Sequence, residues 1–119
     1  MAIGERVLEQ TRIPIALRLY LKAYAKQHHM RLEGACEQIL TLFFQQQPWL
    51  QGLRWRHPLS NRTDAGERAG WAQFNLNLSA ELAAQLETLV AHFKISKAAV
   101  LYTSLFWFAK FICPPVMPK

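Results

Sequence analysis

The sequence predicts a mostly helical α+β fold: two strand–helix–helix units whose strands pair as an antiparallel ribbon over a four-helix core. Three observations lead there. Gln73-Phe74-Asn75-Leu76-Asn77-Leu78 alternates polar and apolar residues, the period of a strand with one buried face. Leu17, Leu21, Tyr24 and His28, and later Leu82, Leu86 and Leu89, recur at helical spacing. The same order of elements stands on both sides of a stretch punctuated by Pro48, Gly52, Pro58, Asn61, Asp64, Gly66 and Gly70.

Residues 1–46 form the first unit. Leu8 to Ile13 is a short strand closed by Pro14, whose fixed φ and missing N–H suit the entrance to a helix. Leu32, Cys36, Ile39, Leu40 and Phe43 mark a second helix that fades in Gln45-Gln46-Gln47. Residues 47–70 are the linker and residues 71–119 the second unit. There Ser79 and Ser96 stand where helix N-caps are needed, and Glu81 suits the positive end of the helix that follows Ser79. Ala99, Tyr102, Phe106 and Ala109 line one face of the last helix, but Val100, Leu101, Leu105, Trp107, Phe108, Phe111 and Ile112 continue the apolar surface nearly all round. Such a helix is buried on more than one side. One side serves the core; the other covers the linker, self-associates or holds a protein partner.

Superposing Pro14 on Ser79 places Leu17 on Leu82, Leu21 on Leu86 and Tyr24 on Leu89, a shift of 65 residues. The second helices match best at a shift of 63, Leu32 on Ile95 and Ile39 on Tyr102, which makes the second turn two residues shorter. A lone strand leaves N–H and C=O groups unpaired, and two short helices cannot enclose their own apolar faces. Two units solve both problems by sharing one core, with Gln10–Ile13 paired antiparallel to Asn75–Leu78 within the chain.

The 51% hydrophobic content argues against a disordered chain. A formal charge of +6 and a pI near 9.8 favour an anionic partner, nucleic acid before lipid. Cys36 and Cys113 form neither a disulfide framework nor a metal spacing, which fits a reducing compartment. The start, MAIGERVLEQ, holds no apolar signal segment, and Ala98–Ile112 is too short and too interrupted by Lys110 for a membrane span. A cytoplasmic protein is expected. His28 and His29 are adjacent, and His57 and His92 lie in other elements, so no metal site is expected. There is no phosphate-binding glycine loop and no evident nucleophile or carboxylate pair, so neither enzyme chemistry nor a cofactor is expected.

The passage from Gln73 to Leu82, with Arg12-Ile13-Pro14-Ile15-Ala16-Leu17 and Leu21-Lys22-Ala23-Tyr24-Ala25-Lys26 in the first unit, resembles the ribbon–helix–helix (Arc/MetJ-like) family. Two units in one chain resemble the tandem TraY-type accessory proteins of conjugation, which bind plasmid DNA near a transfer origin. The resemblance implies double-stranded DNA binding with the ribbon in the major groove, in transcriptional repression or in plasmid transfer and maintenance. By position it implies base contacts from Gln10, Arg12, Gln73, Asn75 and Asn77, with Leu8 as a further ribbon-face residue. The sequence departs from the family in carrying Arg12 as the only cation on that face, and His29 and Lys94 near the turns where the family has glycine.

The chemistry suits these residue types. Amide side chains donate to and accept from one base, best adenine, and an arginine donates twice to guanine. Arg31, Lys94, Ser96 and Lys97 stand at the entrances to the second helices, where free backbone N–H groups attract phosphate. Arg54 and Arg56, around Trp55, can add charge against the DNA backbone, or the tryptophan can pack on the core. The alternative function is a protein-interaction module on the same scaffold with little DNA recognition.

Overall fold

A computed structural model describes residues 6–58 and 70–114. The linker positions Asn61, Asp64 and Gly66 fall outside them, as does the very start of the chain. Strand β1 is Arg6–Pro14, beginning two residues before the expected Leu8, and is followed by helices α1 (Ile15–Gln27) and α2 (Leu32–Gln46) and a 3-10 turn at Pro48–Gln51. Strand β2 is Trp71–Ser79, followed by α3 (Ala80–Phe93) and α4 (Lys97–Trp107), which runs on into a π-helical turn at Phe108–Ile112. The two strands form one antiparallel ribbon, and the four helices pack beneath it.

Local chemistry sets the helix starts. Pro14 at φ −59° and ψ 145° leads directly into α1. Ser79 Oγ accepts from Leu82 N–H at 3.2 Å, and Ser96 Oγ accepts from Ala99 N–H at 3.0 Å, so both serines cap as expected. The turn into each second helix passes through a left-handed residue, His29 at φ 55° and Lys94 at φ 56°. Glycine occupies such positions without steric cost; a residue with a Cβ does not.

The ribbon is antiparallel as expected, but its register differs from a pairing of Gln10–Ile13 with Asn75–Leu78. Gln10 lies opposite Asn75, Arg12 opposite Gln73 and Ile13 opposite Ala72, while Leu76 pairs with Glu9 and Leu78 with Val7. The ladder runs the full length of both strands, from Arg6–Ser79 to Pro14–Trp71. Residues opposite each other share a face, so pairing those segments end to end would set outward Gln10 against inward Leu78. Alternation admits only registers such as the observed one, in which Gln10 meets Asn75.

The repeat is also more regular than the sequence reading predicts. The caps Arg31 and Ser96, like the left-handed His29 and Lys94, stand 65 positions apart, as Pro14 and Ser79 do. The 63-residue alignment of the second helices is thus wrong. From left-handed residue to cap the two turns are equal, and the second connection is shorter only because α3 runs one residue further than α1 does. At the 65-residue shift, buried Ala35, Cys36, Leu40 and Phe43 fall on buried Val100, Leu101, Leu105 and Phe108. Matching apolar letters favours the wrong shift because α4 is apolar on nearly every side.

The core joins Leu17, Leu21, Ile39, Leu40 and Phe43 to Leu82, Leu86, Val100, Leu101 and Leu105, under Phe74, Leu76 and Leu78 of β2. Burial pushes the pKa of the Cys36 thiol up to about 12. The described part of the linker lies on this core. Trp49 and Trp55 stack at 5.6 Å, and Phe43 meets them at 5.2 and 6.0 Å. Tyr20 donates its hydroxyl to the Cys113 carbonyl, tying the end of the π-helical turn to α1. Among the described residues, no single helix is long and apolar enough to cross a membrane.

Candidate nucleic-acid interface

Alternation along two paired strands puts Leu8, Gln10 and Arg12 on the ribbon's outer face with Gln73, Asn75 and Asn77. They form three cross-strand pairs: Leu8 with Asn77, Gln10 with Asn75, and Arg12 with Gln73. Gln10 and Asn75 are equivalent positions of the two units and also each other's partners. The pseudo-twofold axis of the molecule therefore passes between them.

The central amides of Gln10 and Asn75 are exposed, and Gln73 Nε2 donates to Asn75 Oδ1 at 3.3 Å. Leu8 is 57% exposed, an aliphatic side chain presented outward. Arg12 is half-buried, and its Nε is buried with no partner among the described residues. Its terminal N–H groups are the ones with scope to reach outward. Asn77 Nδ2 donates to Glu33 Oε2 at 2.8 Å, which ties that end of the face to the first turn of α2.

Arg6 adds a cation at the ribbon's edge that a strand beginning at Leu8 does not include. Its guanidinium lies 2.7 Å from Glu37 and donates to the Asn77 carbonyl at 2.8 Å. The hydrogen bond to Glu37 raises its pKa further. The available signal was position: Arg6 lies two residues before Leu8 and so shares its face.

The two helix entrances differ. At α2, Arg31 is exposed, while Glu33 and Glu37 face the end of β2, Glu37 Oε2 accepting from Ser79 N–H at 3.2 Å. At α4, Lys94 is exposed and the Ser96 hydroxyl is occupied by its cap bond. Lys97 Nζ lies 2.7 Å from Glu87 and 3.3 Å from Glu9. These carboxylates, Glu87 foremost, raise the Lys97 pKa. Of the residues expected to meet phosphate, Arg31 and Lys94 have no ion pair among the described residues.

Arg54 and Arg56 do not join the ribbon. The Arg56 backbone exchanges hydrogen bonds with the Thr103 hydroxyl, at 2.8 and 3.3 Å, and its guanidinium sits 4.0 Å from the Phe106 ring centre. No three His, Cys, Asp or Glu side chains converge among the described residues.

The β-α-α-β-α-α order, with a two-stranded ribbon over four helices, is a ribbon–helix–helix-like architecture. No protein-family model, characterised protein or solved structure matches the chain.

Proposed function

We propose that the chain is a cytoplasmic, sequence-specific binder of double-stranded DNA. The ribbon enters the major groove, and the protein serves as a repressor or as an accessory factor in plasmid transfer or maintenance. The observation that carries this reading is the outward row of Gln10, Arg12, Gln73, Asn75 and Asn77 centred on the pseudo-twofold axis. A two-stranded ribbon fits the major groove, and these amides and the guanidinium match base edges there. Arg31 and Lys94 supply backbone contacts that position without reading sequence.

The axis relates Leu8 to Gln73 and Arg12 to Asn77, so the two ends of the reading face are chemically unequal. The target is accordingly an imperfect palindrome, with guanine favoured at the Arg12 end. Selection from a random duplex pool, followed by binding over a salt series, tests this. Arg31→Ala and Lys94→Ala should each lower the salt slope by about 1 on every duplex. Absence of duplex binding even at about 50 mM salt overturns the proposal, because phosphate contacts are strong there.

A second reading, a protein-interaction module, is favoured by the carboxylates at both helix entrances: Glu33 and Glu37 at one, Glu9 and Glu87 at the other. It predicts no duplex binding in the same assay.

A further inference from the structure

The C-terminal ends of α2 and α4 and the linker enclose an open groove of about 630 Å³. Its charged side chains are Arg54, Arg56 and Lys110, and no carboxylate among the described residues lines it. Arg56 and Lys110 converge on one ring, at 4.0 and 5.7 Å from the centre of Phe106. None of the ion pairs among the described residues involves these three cations. Beside them, Phe111 is 57% and Ile112 40% exposed. The site thus combines positive charge with exposed apolar surface. The Arg56–Thr103 backbone bonds hold part of it in place before any ligand arrives.

We propose that this groove docks an acidic peptide segment of a partner protein, its carboxylates meeting Arg54, Arg56 and Lys110 and an apolar side chain covering Phe111 and Ile112. Charge complementarity selects the occupant. A second copy of this chain, itself at +6, is a poor match: of its described carboxylates Glu9, Glu33, Glu37 and Glu87 are already engaged, which leaves Glu81 as the one without a described partner. A nucleic-acid backbone answers the cations but offers nothing to Phe111 and Ile112. An acidic amphipathic segment answers both.

The probe is a short fluorescein-labelled peptide of Asp and Glu interrupted by Phe and Leu at helical spacing, titrated with the full chain. Saturable binding should weaken at least about tenfold in Arg54→Glu/Lys110→Glu, because like charges then face each other. Phe111→Ser should weaken it by about tenfold too, and Arg12→Ala should leave it unchanged. Both groove variants alter exposed side chains, and circular dichroism checks that they are folded. The proposal is overturned if the peptide does not bind, if replacing its Phe and Leu by Ser leaves affinity intact, or if the groove variants bind like wild type. Loss of duplex binding in Arg54→Glu/Lys110→Glu without peptide binding would make the groove a nucleic-acid surface. Concentration-dependent self-association abolished by Phe111→Ser, again without peptide binding, would assign it to a second copy. Because Arg12 lies outside the groove and duplex and peptide are separate probes, failure of the DNA reading and failure of this one are separable.

Discussion

The two units share a backbone but diverge in what their strands turn inward. On β2 the inner face is Phe74, Leu76 and Leu78, all buried. The equivalent positions on β1 are Glu9, Thr11 and Ile13, also buried, of which two are polar. The first turn of α4 meets these polar groups: Thr11 Oγ1 donates to the Ala98 carbonyl at 2.7 Å, and Lys97 reaches Glu9. A buried polar group is tolerated where it finds a partner. The repeat thus preserves geometry, while each strand is matched to the helix packed under it. Lys97 is tied to folding as well as to the helix entrance.

The largest expected effect tests that asymmetry. Phe74→Ala should cost about 3–5 kcal/mol of stability in denaturant unfolding, by loss of buried contacts and creation of a cavity. At the equivalent position, Glu9→Ala should cost clearly less, and Glu9→Leu little or nothing, because Lys97 is partly exposed and keeps Glu87. A Glu9→Ala penalty as large as that of Phe74→Ala would mean that the ion pair, not apolar packing, anchors this side of the ribbon.

A smaller effect separates the ends of the proposed base-reading face. Arg12→Ala should cost about 1–3 kcal/mol of discrimination at one base position of a selected site. Asn77→Ala, its equivalent, should cost less, because Glu33 already occupies its amide N–H. Equal losses at symmetric positions would show that the two ends read alike.

The turns should behave alike instead. His29→Gly and Lys94→Gly relieve the same left-handed strain and should each stabilise the protein by about 1 kcal/mol in thermal unfolding. A gain at only one site would break the equivalence of the turns.

The smallest effect is at alkaline pH. Glu87 and Glu9 raise the folded-state pKa of Lys97, so its contribution is complete below the unfolded value of about 10.4 and fades as pH rises through the folded one. Wild type should therefore lose more stability than Lys97→Met on alkaline titration. Parallel curves would remove Lys97 from the linkage.

The sequence alone determined the element order, the capping serines, the Pro14 entrance and the outward placement of Gln73, Asn75 and Asn77. These depend on periodicity and on contacts within a few residues, which the chain spells out locally. It also marked His29 and Lys94 as unusual turn residues, and they are the left-handed ones. Tertiary structure decided the strand register, the constant 65-residue repeat, the packing of Trp49 and Trp55, and the Asn77–Glu33 and Lys97–Glu9 contacts. Most of these join residues far apart in the chain. Alternation is satisfied by several registers, and a helix apolar on nearly every side accepts several alignments. Only packing both units into one core, where buried groups must find partners, selects among them.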